Sequence, residues 1–362
     1  MSSLPLGGPF RASGSTARLT RLAEFGTNPG ALDAWTFVPT SEPTERLPLV
    51  VVLHGCTQTA DGYDSGSGWS QLGEAFGFAA LFPEQRRANN PNMCFNWFEP
   101  GDTRRGAGEA LSIAQMIGTM IEHHGVDRDR VYITGLSAGG AMTSVMLASY
   151  PELFAGGAIL AGLPHGAAAS MQEAFQQMRS PSRGKPIKST SPHDGPWPTV
   201  SIWHGTADTV VNPSNADAIV EQWKEVHGLA GTVAEDQRVD GYPHRAWRDA
   251  GGTLRVEEYE VTGMGHGTPL DTSGECACGK AGAFMLEVGI SSTVHSARTW
   301  GLLGQRRTPD RNELAPDPVS QSSPALGRTA PLPRAAEASP TPANDAITKV
   351  IEDALRAAGL MK

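Results

Sequence analysis

The chain has 362 residues and a net charge of -9, a length that holds one α/β domain of about 250 to 300 residues plus a tail and buries a substantial core. The acidic balance, with no dense Lys/Arg run, argues against a nucleic-acid partner, which would need phosphate-neutralising cations. Four cysteines are too few for a disulfide scaffold, and no apolar run reaches transmembrane length.

Met1 to Gly8 lack the basic start and apolar stretch of a secretory leader, which makes a cytoplasmic location the default expectation. From about residue 34 to 303, strand-like and helix-like segments alternate, which predicts an α/β domain over 25–304 with a mostly parallel sheet covered by helices on both faces. Residues 1–24 read as an N-terminal extension. Ala34 to Val38, Leu47 to Leu53 and Phe78 to Phe82 are the first predicted strands. A helix follows from Ala107 to about His124, with Leu111, Ala114, Ile117 and Ile121 on one face. Asp127 to Arg130 read as a polar turn, Val131 to Thr134 as a strand, and Ala141, Met142, Val145 and Met146 as part of a buried helix. Gly157 to Leu160 and Val200 to Trp203 are strands, Ser214 to Val226 a helix, Val256 to Val261 a strand and Ser292 to about Leu303 a closing helix. Between Gln305 and Ala343, eight prolines stand among Ser, Ala and charged residues, the composition of a linker that cannot fold alone. Asn344 and Asp345 then cap a short amphipathic helix over 344–362, with Ile347, Val350, Ile351, Ala354 and Leu355 at helical spacing. Its expected partner is its own domain or a sister subunit, with a hydrophobic granule surface as the other candidate.

The most informative stretch is Gly135-Leu-Ser137-Ala-Gly139, where an apolar strand breaks into Gly-x-Ser-x-Gly and runs on into a helix. A serine on that sharp turn projects Oγ beyond the sheet edge, and the glycines let neighbouring backbone pass close by. The pattern alone recurs by chance in a chain with 42 glycines; the strand before it and the helix after it make Ser137 the candidate nucleophile.

A serine needs a base, and the base needs an orienting carboxylate; in this order of elements the acid follows the serine and the histidine comes last. Asp208 lies in the loop after the strand Val200 to Trp203, and His266 lies among glycines after the strand Val256 to Val261. Asp194, Asp217 and Asp271 are rival carboxylates, but Asp217 falls in a helix and Asp271 follows the histidine. His54, His165 and His204 also end strands, and each reads as a structural histidine with a satisfied imidazole.

The anionic intermediate requires two backbone N–H donors. Ala138, the residue after the nucleophile, supplies one, and Cys56 in Leu53-His-Gly-Cys-Thr-Gln58 the other. The Cys56 thiol reads as structural, bridged to Cys94 if the two loops meet. Cys276 and Cys278 are spaced too tightly for a usual bridge, and no Cys/His set has zinc-ligand spacing. Trp97, Phe98, Trp197 and His165 are candidate substrate contacts around an apolar cleft, while Asp102, Arg104 and Glu109 read as an ion-pair cluster orienting the loop behind Cys94.

His54-Gly-Cys-Thr-Gln, Cys94-Phe-Asn-Trp-Phe, Gly108-Glu-Ala-Leu-Ser, Gly135-Leu-Ser-Ala-Gly-Gly-Ala-Met, Trp203-His-Gly-Thr-Ala-Asp and Gly263-Met-Gly-His-Gly together resemble the poly(3-hydroxybutyrate) depolymerase family of esterases. The resemblance spans about residues 25 to 303. It implies an α/β-hydrolase fold, a Ser137, Asp208 and His266 triad, an oxyanion loop at Cys56, no metal or organic cofactor, and hydrolysis of short-chain polyhydroxyalkanoates. Feruloyl and acetylxylan esterases are relatives of that family, so an aromatic or acetyl ester is the alternative substrate. Secreted family members carry a signal peptide, a linker and a polymer-binding domain; here a linker and a short helix follow residue 304, so soluble oligomers, amorphous granules or another ester are the expected substrates.

Overall fold

The computed structural model describes residues 18–40, 45–187, 193–273 and 276–304. The predicted extension up to residue 17, the linker and the tail helix lie outside them. Apolar runs set the frame. Among the described residues, β1 (Thr20–Arg21), β2 (Asp33–Phe37), β3 (Leu47–Leu53), β4 (Ala79–Glu84), β5 (Val126–Leu136), β6 (Gly156–Leu160), β7 (Thr199–Gly205), β8 (Glu235–Val239), β9 (Tyr242–Arg248) and β10 (Leu254–Val261) form one sheet in the order β1-β2-β4-β3-β5-β6-β7-β10-β9-β8. The six central strands from β4 to β10 run parallel, with antiparallel pairs at both edges. Strand β3 is buried along its whole length, as a strand covered on both faces must be. A second, two-stranded sheet joins β11 (Thr268–Leu270) to β12 (Met285–Glu287).

The helices are α1 (Ala60–Ser67), α2 (Trp69–Phe76), α3 (Pro100–Thr103), α4 (Gly108–His123), α5 (Ala138–Ser149), α6 (Met171–Arg179), α7 (Ser214–Val226) and α8 (Ser292–Thr299). The chain leaves β3 through α1 and α2 towards β4, then returns through α4 past β3 to β5. Right-handed crossovers in opposite directions put helices on opposite faces. Accordingly Trp69 of α2 stacks on Trp300 beyond α8, while α4, α5 and α7 share the large core of the other face. The arrangement is the α/β-hydrolase fold. The reversal between β3 and β5 opens a crevice at their C-terminal ends, where ligands of such sheets bind.

Three expectations shift in detail. Asp127 to Arg130 sit inside β5 as a bulge, because Leu47 pairs with Val126 while Leu49 already pairs with Val131. The buried face of α4 carries Ala110, Ile113, Met116, Ile117 and Met120, with Leu111, Ala114 and Ile121 at its margin; the helix is apolar nearly all round, so tertiary packing decides its orientation. Helix α8 ends at Thr299, short of Leu303, because Gly301 takes a left-handed φ of 68° and the amides of Gly301 and Leu302 turn back onto Arg298 and Ala297.

Candidate active site

The site starts from register. In the parallel β3–β5 pair, Leu53 lies opposite Gly135, so the loop after one strand meets the turn after the other. Ser137 occupies that turn with φ 58° and ψ -116°, a conformation costly for a residue with a Cβ, of order 1–3 kcal/mol, and tolerated where surrounding structure imposes it. The constraints are visible: Ser137 N–H donates to Leu160 O at 2.9 Å, and α5, buried on every side, leaves directly from the serine. Gly139 admits no side chain, since a Cβ there would lie 2.4 Å from Leu53 O and 2.5 Å from His54 O.

The candidate acid and base, Asp208 and His266, come from another parallel pair, β7 and β10. Gly205 of β7 is in register with Val261 of β10, three residues before Asp208 and five before His266. Their loops touch at Gly205, where a Cβ would stand 2.2 Å from Met264 O. His266 Nδ1–H donates to Asp208 Oδ2 at 2.7 Å, and both side chains are almost wholly buried. Asp208 Oδ1 accepts from the amides of Val210 and Val211 at 2.8 and 2.9 Å. Burial opposes the charge on Asp208, but His266 beside it, and the hydrogen bonds from His204 and His266, outweigh burial and hold its carboxyl well below the usual carboxylate range. The loop after His266 is fixed by β11, whose first amide, Thr268 N–H, donates to Phe284 O, and by the Phe284 ring standing edge-on to the imidazole, centroids 6.2 Å apart. Among the described residues no hydrogen bond engages Ser137 Oγ or His266 Nε2. Two of the three rival carboxylates are engaged otherwise: Asp217 in α7 pairs with Arg245, and Asp271 accepts from Ser273.

The two candidate donor amides lie on the segments that follow β3 and β5. Ala138 N–H opens α5, whose first-turn amides have no intrahelical partner. Cys56 N–H follows β3, and the Cys56 and Ala138 amides donate to no protein acceptor among the described residues. Two ties hold the Cys56 loop: a disulfide to Cys94, and Thr57 N–H donating to Asn92 O at 2.7 Å. The Gly55 carbonyl, in the same peptide unit as Cys56 N–H, accepts from His54 Nδ1–H at 2.7 Å and from Gln58 N–H at 3.3 Å. A trans peptide points N–H opposite to C=O, so pinning the carbonyl inward aims Cys56 N–H outward.

The sequence from 32 to 241 matches the family model "Esterase PHB depolymerase". Poly(3-hydroxyalkanoate) depolymerase C of Paucimonas lemoignei is 47% identical over 302 residues, covering 81% of this chain and 72% of that protein. This chain belongs to the PHB depolymerase family of esterases. Feruloyl esterase B of Neurospora crassa is 32% identical over 277 residues, 72% of this chain and 91% of that one. The solved acetyl xylan esterase from Aspergillus awamori superposes with a TM-score of 0.66 at 26% identity, covering 78% of this chain and 99% of the other. The protein is a carboxylic ester hydrolase.

Within this family esterase, the predicted substrate contacts differ in burial. Trp97 and Phe98 stand edge to face in the core, 7% and 5% exposed, so their rings serve packing and leave little for a substrate. Trp197 is partly buried against that core, between His193 and Trp223. His165 is held through its backbone by Gln222; burial pushes its imidazole down to about 4, and its Nδ1 has no hydrogen-bond partner among the described residues. The expected ion-pair cluster around Glu109 is replaced by a buried polar network. Glu109 accepts from Gln85 Nε2 at 2.5 Å and Asn96 N–H at 2.9 Å, Gln85 Nε2 also donates to Cys94 O, and Gln85 N–H donates to His54 Nε2 at 3.1 Å. Asp102 instead accepts from Glu109 N–H, and Arg104 bonds to the Pro100 carbonyl. Burial first, and the Asp102 charge second, push Glu109 up to about 8. Burial likewise pushes His54 down to about 4, so the ring that pins Gly55 stays neutral. Sequence reasoning missed this network; its only signal was polar residues inside otherwise apolar segments. Cys276 and Cys278 are free, and burial raises the Cys278 thiol to about 12, far from a reactive thiolate.

Proposed function

We propose that Ser137 is the nucleophile, His266 its general base, Asp208 the residue that orients and charge-stabilises His266, and the Cys56 and Ala138 amides the oxyanion donors. The single observation that supports this most is the 2.7 Å hydrogen bond from His266 Nδ1–H to Asp208, which makes Nε2 the lone-pair nitrogen of the neutral ring. His266 removes the Ser137 proton as Oγ adds to the ester carbonyl. The two amides stabilise the resulting alkoxide, reinforced by the positive end of α5. His266 then gives its proton to the departing alcohol as the C–O bond breaks, and water, deprotonated by the same ring, hydrolyses the acyl-enzyme.

We further propose short-chain polyhydroxyalkanoates such as poly(3-hydroxybutyrate), or their oligomers, as substrate, a reading supported by the 47% identity with a poly(3-hydroxyalkanoate) depolymerase. A feruloyl or acetylxylan ester is the second reading, favoured by the coverage of almost the whole acetyl xylan esterase chain in the structural match. The deciding experiment measures 3-hydroxybutyrate release from amorphous polymer and short oligomers beside hydrolysis of p-nitrophenyl butyrate, methyl ferulate and acetylated xylan. The Ser137→Ala variant should lose about 10³-fold or more of every activity. Polymer or oligomer turnover that depends on Ser137 supports the first reading, and activity confined to ferulate or acetyl esters replaces it with the second.

A further inference from the structure

His204, the penultimate residue of β7, is one of the three histidines that sequence reading assigns a satisfied structural imidazole. Its surroundings differ from that expectation. Its side chain is 4% exposed, and its Nδ1 is buried with no hydrogen-bond partner among the described residues. The other ring nitrogen, Nε2, stands 3.0 Å from Val211 O and 3.2 Å from Asp208 Oδ2. Its N–H donates to the Val211 carbonyl, and the Asp208 carboxylate of the same tight turn lies beside that N–H edge. That turn already holds the other carboxylate oxygen through the Val210 and Val211 amides.

The carboxylate is therefore gripped on both sides. Oδ1 is fixed by two amides of its own loop, while Oδ2 faces two imidazoles, His266 at 2.7 Å and His204 at 3.2 Å. Both histidines, one ending β7 and one following β10, draw the Asp208 carboxyl down against the effect of burial. By donating to Val211 O the ring ties the end of β7 to the turn that carries Asp208, with its N–H edge against the buried carboxylate.

We propose that His204 is a positioning residue for the esterase reaction: it fixes the carboxylate plane of Asp208 and shares Oδ2 with His266, and so sets how strongly Asp208 stabilises the His266 imidazolium. The inference rests on the triad proposed above. His204 touches no reacting atom. Without its N–H, the full charge of Oδ2 falls to His266, the imidazolium is stabilised, and the base takes its proton at higher pH. The carboxylate plane also loses its second anchor, so His266 meets Ser137 less often in a productive orientation.

The test uses the full chain with p-nitrophenyl butyrate, active sites being counted by the p-nitrophenol burst with diethyl p-nitrophenyl phosphate. His204→Phe fills the volume without a donor, His204→Gln returns an amide N–H near the Nε2 position, and His204→Asn places its amide near Nδ1. His204→Phe should lower kcat per active site about tenfold, leave KM within about twofold, and move the acid limb of kcat/KM up by roughly half to one pH unit. His204→Gln should restore the acid limb and most of kcat, whereas His204→Asn should follow His204→Phe. An unmoved limb with wild-type kcat per active site in His204→Phe overturns the proposal, as does the same limb shift in the Gln and Phe variants. If His204→Phe does not fold, the Gln and Asn pair decides, since equal profiles in those two overturn it. Ser137→Ala and Asp208→Asn run alongside: wild-type turnover in them sinks the triad itself, whereas their loss beside normal His204 variants sinks this inference alone.

Discussion

The Cys56–Cys94 disulfide joins the proposed oxyanion loop to the segment behind it across 38 positions, and its removal should have two separable effects. In the chain-entropy picture a loop of that length restrains the unfolded chain by about 4 kcal/mol. With roughly 2.1 cal/mol/K of unfolding entropy per residue, that corresponds to a Tm about 7 °C lower for a domain of this size. The second effect is catalytic. The Cys56 amide is aimed by the pinned Gly55 carbonyl, by Thr57 N–H on Asn92 O and by the disulfide. Loss of one of these ties should cost part of the 10²- to 10³-fold attached to a missing oxyanion donor, about tenfold in kcat. Cys94→Ser and Cys56→Ser both break the bridge and keep the backbone amide, so they should behave alike. Urea unfolding gives the first effect; kcat per titrated active site at a temperature where each variant is folded gives the second. Wild-type kcat per site in both variants would refute the positioning argument and leave the bridge a stabiliser only. Full activity in Cys94→Ser with loss in Cys56→Ser would instead implicate the Cys56 sulfur itself.

Asp208→Asn should lower kcat about 10³- to 10⁴-fold, because the amide stabilises the wrong tautomer of His266; a loss under tenfold in steady-state assays would contradict the role. The depressed carboxyl of folded Asp208 contributes stability above its unfolded value near 4 and loses it as pH falls through the lower folded value. The stability gap between wild type and Asp208→Asn should therefore be widest near neutrality and close below about pH 4 in urea titrations. Glu109 has the opposite sign: with its folded value raised to about 8, its contribution is present below the unfolded value and lost as pH rises through the folded one. Glu109→Gln should lack this term, so wild type should lose stability relative to the variant between about pH 5 and 9, on the order of 3–5 kcal/mol; equal urea midpoint differences at both ends would refute it. His54→Leu should lower kcat roughly tenfold or more with KM little changed, because the Gly55 carbonyl loses its pin, and an unchanged kcat per active site would show the ring to be dispensable.

Much of this architecture was legible because apolar runs and catalytic punctuation coincide. Leu47 to Leu53 reads as a strand from its residues alone, and the ordered elbow, acid loop and glycine-flanked histidine single out Ser137, Asp208 and His266 as the proposed triad. Edge strand β8, Glu-Asp-Gln-Arg-Val, was not legible: four of its five residues are exposed, and an edge strand with no buried face carries no period-two apolar signal. Helix α1, Ala-Asp-Gly-Tyr-Asp-Ser-Gly-Ser, has poor intrinsic propensity and exists through tertiary ties, with Thr59 capping its start, Tyr63 OH reaching Thr268, and Asp64 receiving both the amide and hydroxyl of Ser70. Trp97 and Phe98 misled for the same reason: an aromatic pair beside a functional loop reads alike whether it faces a cleft or the core, and only packing decides.

The illegible part is also the part that does the positioning. Chain order names a nucleophile, acid and base because each must sit at the end of a particular strand, and strand ends are marked in sequence. The groups that orient them come from elsewhere in the chain: Gln85 lies 31 residues from His54, and Glu109 a further 24 from Gln85. The polar chain Glu109, Gln85, His54, Gly55 ends on the peptide that carries the Cys56 amide, and Gln85 simultaneously holds the Cys94 carbonyl. It thereby supports the Gly55 pin and the Cys94 end of the disulfide, two of the three ties of the proposed oxyanion loop, from one buried point. Such a network is costly to bury unless every member finds a partner, and once satisfied it has one geometry. A single substitution at Gln85 should for that reason disturb the proposed oxyanion donor more than its distance along the chain suggests.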